Sequence, residues 1–195
     1  SRQFLNVTFL ISVPCCCGII LVADQIVEVL FGVEFLPAIS TIRILSILIV
    51  LMPLSGGVFC QLLLTAGKEK SYLACVLIGT VVNAVLNYLL IPTFTQNGAA
   101  IASVIAEFTV SISMIVATRR TIKVNMCCRD VFSILTSAFF MSLTLVLCHK
   151  LFFGQAVWMR LLVEIVIAIL VYFFCVFMLK NSASSRITRA YLKTK

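Results

Sequence analysis

The sequence predicts an all-α membrane protein built from six transmembrane helices. Three observations carry this. Of the 195 residues, 62% are hydrophobic and 11% are charged, against about 25% charged residues in an ordinary soluble domain. The apolar residues gather into runs of about 20, which at about 1.5 Å per residue is enough to cross a hydrocarbon core of about 30 Å. The basic residues, once these runs are threaded through a bilayer, fall mainly on one side. A soluble enzyme or a nucleic-acid binder does not fit this composition, and the net charge of +8 reports orientation in a membrane rather than a nucleic-acid partner.

The runs place spans at about 6–30, 42–66, 71–91, 98–118, 131–149 and 157–179, a six-span domain over 1–180 followed by a basic tail over 181–195. The first span contains Pro14, which lacks a backbone N–H and predicts a kink. Asp24 and Glu28 stand one turn apart at its outer end, near the interface. Leu30–Ala38 is too short to span and reads as an interfacial elbow. The second span is interrupted by Pro53, Ser55, Gly56 and Gly57, with Gln61 following. A broken helix at mid-membrane frees backbone groups that protein or water must satisfy; it marks either a transport site or a proline kink packed by its neighbours. Gly67 is placed to cap this span, and Lys68 and Lys70 suit the helix C-terminus.

The third and fourth spans form a helical hairpin, with Pro92 and Asn97-Gly98 as breakers in the link Ile91–Gly98. Its polar residues align. Gly79, Asn83 and Asn87 are four apart and share one face; Ser103, Glu107 and Ser111 repeat the spacing on the return helix. A carboxylate at membrane depth is costly unless it faces protein or water. Two readings follow: interhelical glue through hydrogen bonds and small residues, or the wall of a polar cavity. On the second reading the candidate substrate residues are Ser55, Gln61, Asn83, Asn87, Ser103 and Glu107.

Spans five and six are rich in Leu, Phe and Val. Arg160 and Glu164, four apart, are spaced to pair near the outer interface as an anchor, and the lone His149 at a helix end reads as interfacial. Twelve of the fifteen Lys and Arg residues, among them Lys68, Lys70, Arg119, Arg120 and Arg129, lie on one side of the six-span threading; Arg43, Lys150 and Arg160 lie on the other. That split puts both ends in the cytoplasm. None of the nine Cys falls in a C-x-x-C arrangement, and with one His no metal site is implied. Cys127-Cys128 reads as a juxtamembrane loop, with lipidation as the other option. No nucleophile–base pair and no phosphate loop is visible, so neither an enzyme nor a cofactor is expected.

The residues Gly79–Pro92, ending Tyr88-Leu89-Leu90-Ile91-Pro92, and Asn97–Glu107, reading Asn-Gly-Ala-Ala-Ile-Ala-Ser-Val-Ile-Ala-Glu, resemble the oligosaccharide (O-antigen type) flippases of bacterial polysaccharide biosynthesis. Val22–Phe35, with its Leu-Phe-Gly segment, is similar as well. These flippases share a superfamily with multidrug exporters and lipid II flippases. The resemblance implies the C-terminal part of a two-lobed inner-membrane exporter, with an N-terminal helical lobe missing from this sequence. It implies a polyprenyl-diphosphate-linked oligosaccharide as the substrate, with membrane lipid around it and no nucleic-acid partner. One departure stands out: a cavity for a diphosphate is expected to offer Arg or Lys, and these spans hold no mid-membrane cation. The alternatives are a drug or lipid II exporter of the same superfamily and a non-transporting membrane scaffold.

Overall fold

The computed structural model describes residues 2–119, 128–151 and 156–179. The expectations placed on Arg120, Cys127 and the tail lie outside the described residues. Every regular element among the described residues is helical: α1 (Arg2–Leu30), a short 3-10 turn (Val33–Phe35), α2 (Ala38–Leu45), α3 (Leu48–Met52), a π-helical segment (Pro53–Phe59), α4 (Cys60–Thr65), α5 (Glu69–Arg119), α6 (Cys128–Leu151) and α7 (Val157–Met178).

Among the described residues, five helical stretches are long and apolar enough to cross a membrane: Phe4–Leu30, Ala38–Thr65, Glu69–Arg119, Arg129–Leu151 and Val157–Met178. The sequence predicted six. The difference lies in α5, where the third and fourth expected spans are joined into 51 helical residues. The predicted eight-residue link does not form. Helix runs through Pro92 to the tip, and only Thr95 leaves helical geometry, at φ 49° and ψ −125°. The positive φ therefore falls on a threonine and not on Gly98. What Gly98 provides is room. A side chain there would run into the Leu90 carbonyl, so the missing Cβ lets the two arms meet at the tip. Farther down, Gly79 sits against Val110 and Ala106 in the same way, so the arms lie side by side.

The chain divides into two compact units. The first holds Ser1–Leu5 and Pro37–Asn125, the second Asn6–Leu36 and Met126–Lys195. In the first unit, Phe59, Leu63, Cys75, Val110 and Met114 form an apolar cluster that joins the π-segment, α4 and both arms of α5. The tip is tied down by polar contacts. Asn97 Oδ1 accepts from Thr41 Oγ1 at 2.7 Å and Ser40 Oγ at 3.1 Å, and Gln96 Nε2 donates to the Pro37 carbonyl at 3.3 Å. The helix α4 ends as expected at Gly67, whose φ of 66° accompanies bonds from Gly67 N–H to Leu64 and from Lys68 N–H to Leu63. This is the glycine-terminated cap that satisfies the last carbonyls.

The second unit packs α1, α6 and α7 around Leu10, Val22, Ile134, Ala138, Met141, Leu145, Ala168, Tyr172 and Val176. Here α1 remains helical through Pro14. Proline cannot donate to the carbonyl four residues back, which is that of Leu10. Tyr172 on α7 supplies the missing donor, its hydroxyl standing 2.7 Å from Leu10 O. In hydrocarbon, where no water can serve that carbonyl, such replacement is what makes an internal proline tolerable.

Candidate functional site: a polar cavity in the first unit

The second expected span is interrupted where the sequence indicated, but as a wider helix rather than a break. Pro53 withholds an N–H, Gly56 and Gly57 weaken helical preference, and the backbone winds as a π-helix over Pro53–Phe59. Single π-turns of this kind are frequent at functional sites. The wide turn aims Ser55 at the return arm of α5. Its hydroxyl is within reach of Leu51 O at 3.2 Å and Met52 O at 3.3 Å, and makes its closest contact with the Glu107 carboxyl group.

Around this pair opens a cavity of about 650 Å³, lined on its polar side by Ser55, Tyr72, Thr80, Asn83, Ser103 and Glu107. Gly56 and Gly79 add backbone to the wall, and Met52, Val76, Ala106, Val110 and Met114 supply apolar surface. Four of the six sequence-predicted site residues thus share one cavity: Ser55, Asn83, Ser103 and Glu107.

The other two do not line it. Gln61 is exposed; the wide turn between Ser55 and Gln61 shifts the α-helical spacing on which it was placed. Asn87 stands behind Asn83, donating from Nδ2 to Asn83 Oδ1 at 2.6 Å, and its own Oδ1 is buried without a hydrogen-bond partner. It orients Asn83 instead of reaching the cavity. Ser111, on the same predicted face as Glu107, is buried with its hydroxyl unpaired. Sequence analysis missed Tyr72 and Thr80, although the stripe Tyr72, Val76, Thr80, Asn83 already showed helical spacing.

The hydrogen-bonding character of the wall follows from where its protons go. Ser103 donates to Ala99 O at 2.9 Å and Thr80 to Val76 O at 3.0 Å, both within their own helix. The Ser55 proton has Glu107 as its nearest acceptor. These hydroxyls therefore have lone pairs to offer the cavity, while Asn83, whose oxygen is taken by Asn87, has its amide N–H groups to offer and Tyr72 its hydroxyl, so the wall both accepts and donates hydrogen bonds. Among the described residues, no Arg or Lys lines the cavity, and its one charged side chain is Glu107. Among the same residues, no group of three or more His, Cys, Asp or Glu is placed to hold a metal ion.

No protein-family model and no curated protein sequence matches the chain. Among solved structures it is similar to the lipid II flippase MurJ in an inward closed conformation, with a TM-score of 0.72 and 16% sequence identity. The match covers 96% of this chain and 38% of the flippase chain. The protein described here therefore has the fold of a little over a third of a lipid II flippase.

Proposed function

We propose that these helices form one part of a membrane flippase that moves a polyprenyl-diphosphate-linked oligosaccharide across the bacterial inner membrane, and that the protein transports without making or breaking covalent bonds. The observation that carries this is the polar cavity of the first unit, set in a helical fold similar to that of a lipid II flippase. Sugar hydroxyls both donate and accept, and a wall that offers the oxygens of Ser55, Ser103 and Glu107 beside the amide N–H groups of Asn83 suits them. A diphosphate needs cations or donors when held away from water. On this reading the wall meets the sugar, and the cations come from a helical lobe beyond this sequence.

A topology goes with the proposal. A straight helix of the 51 residues of α5 would be about 77 Å long, more than twice the roughly 30 Å it would cross. We take it to cross twice with Thr95 at the outer surface, giving six crossings with both ends cytoplasmic, as the uneven distribution of Lys and Arg favours. Single-cysteine labelling of intact cells in a Cys-free background checks it. Position 96 labels without permeabilisation, and position 68 labels only after it; the reverse pattern rejects the topology.

Lipid II is the second reading of the substrate, favoured by the solved structure that the chain resembles. The deciding experiment expresses the full-length protein in two strains, one lacking its oligosaccharide flippase and one depleted of its lipid II flippase. Restored surface polysaccharide in the first supports the proposal, and rescued growth in the second moves the substrate to lipid II. Rescue of neither strain, with the protein inserted at normal levels, rejects both.

A further inference from the structure

The second unit contains a cluster of ionisable groups that the cavity does not use. It draws on all three helices. Gln25 of α1 donates from Nε2 to Glu164 Oε2 of α7 at 2.7 Å, and the same nitrogen lies 3.0 Å from His149 Nδ1 of α6. Arg160 Nε donates to Glu164 Oε1 at 3.0 Å. His149 Nδ1 is 3.7 Å from Glu164 Oε1, and its Nε2 is 3.9 Å from Asp24 Oδ2. The cluster is sealed at one end and open at the other. Glu164 is 1% exposed and Gln25 2%, whereas the side chains of His149 and Asp24 are 35% and 39% exposed. The Oε1 atom of Gln25 and the Oδ1 atom of Asp24 are buried without hydrogen-bond partners.

Two features of this arrangement concern a proton. The first is the tautomer. An amide N–H facing His149 Nδ1 requires that nitrogen to accept, which puts the proton of a neutral ring on Nε2, toward Asp24. The second is charge. Counted as ionised, Asp24, Glu164 and Arg160 sum to −1, and an imidazolium at His149 brings the cluster to zero. A proton added to Nδ1 ends its role as acceptor for Gln25. The new N–H then has Glu164 Oε1 within a small adjustment, while Gln25 keeps Glu164 Oε2. The ring changes from a passive acceptor into a cation between carboxylates of α1 and α7. The other ionisable groups nearby are Glu28 on α1, exposed one turn beyond Asp24, and on α6 the exposed Lys150 and the buried Cys148; α7 contributes Arg160 and Glu164.

We propose that Asp24, Gln25, His149, Arg160 and Glu164 form a proton-binding site of the second unit, in which His149 takes the proton and is thereby bridged to Asp24 and Glu164. Its ligand is a proton from the water at the α6 C-terminal end. The proposal stands apart from the flippase reading, because its test registers a proton and not transport.

The test is nitrogen NMR on the full-length protein, labelled with ¹⁵N-histidine and held in lipid nanodiscs, with His149→Gln subtracted to assign the signal. At high pH the expected ring is the Nε2–H tautomer, and on acidification both nitrogens carry protons. In Asp24→Asn the proton is bound more weakly, with its midpoint at lower pH, because the ring loses the carboxylate beside its Nε2. Gln25→Leu, which leaves every charge in place, removes the tautomer preference. An Nδ1–H tautomer at high pH overturns the proposal even if neither variant folds. An Asp24→Asn protein that melts like the parent yet protonates at the same pH overturns it too.

Discussion

The two units bury polar side chains in opposite ways. In the first, Ser55, Asn83, Ser103 and Glu107 surround an opening of about 650 Å³ with both acceptors and donors. In the second, Glu164 is closed in by Arg160 and Gln25, and the cavity that exists there, about 330 Å³, is lined by apolar residues such as Leu10, Val22, Met141 and Leu145 together with Pro14 and Tyr172. One unit gathers its polar groups around an opening; the other gathers them where three helices meet, with Gln25 Oε1 and Asp24 Oδ1 left without partners. The contrast separates a surface that faces an opening from a cluster packed between helices, and it makes the two units respond differently to the same kind of substitution.

The largest difference is expected from charge removal. Glu164→Ala removes the buried carboxylate that accepts from Arg160 Nε and Gln25 Nε2, and breaking a buried pair on one side costs about 3–5 kcal/mol. Unfolding in detergent followed by thermal melting measures it. Replacing both partners by apolar residues of similar size recovers most of the loss, since the penalty belongs to the unpaired charge. If Glu164→Ala melts like the parent, the second unit is not the sealed one.

Next comes Gly98→Val at the tip of α5. The new side chain meets the Leu90 backbone carbonyl, which cannot swing aside, and such overpacking costs about 1–3 kcal/mol. Separation of the arms appears as increased accessibility of the native Cys75, which packs in one cluster with Val110, when it is the sole cysteine. Tyr172→Phe follows, at about 1–2 kcal/mol, because it orphans the Leu10 carbonyl inside the helix bundle. A double variant that also replaces Pro14 by Ala restores that bond from within α1 and loses less stability than Tyr172→Phe alone.

The smallest effect on stability is expected from Glu107→Gln. The amide oxygen still accepts from Ser55, so melting changes by less than about 1 kcal/mol. Turnover in the rescue assay is where this variant falls short, with protein levels unchanged. Loss of expression without loss of turnover per molecule would return Glu107 to the role of interhelical glue.

How far the sequence foretold this depends on whether a feature is periodic or not. Helices, apolar faces and the polar faces that carry Asn83 on one arm and Glu107 on the other come from local spacing, and local spacing is written in the chain. Gln61 was misplaced because a π-turn changes that spacing, and the sequence announces weakness at Pro53 and Gly56-Gly57 without saying how the backbone will take it up. The number of spans was blurred by Thr95, since nothing about a threonine marks it for a positive φ. The cluster in the second unit was missed for a different reason. Arg160 and Glu164 were paired correctly from their four-residue spacing, but Gln25 reaches Glu164 from 139 residues away and His149 from 124 residues away, and no period in a sequence reports a contact of that range.

The bond between Tyr172 and Leu10 links positions 162 residues apart, and this has a consequence for the order in which the protein is made. Of the helices described, α1 leaves the ribosome before the others and enters the membrane with one carbonyl unserved by its own backbone. All of the first unit and α6 are synthesised before the tyrosine that completes it appears. During that interval water, lipid headgroups or the insertion machinery must serve the Leu10 carbonyl, so a newly made α1 has reason to linger at a hydrated site until α7 arrives. Truncated, ribosome-tethered chains ending before and after residue 172 offer a way to watch this: α1 crosslinks to the insertion machinery in the shorter chains and to α7 in the longer ones.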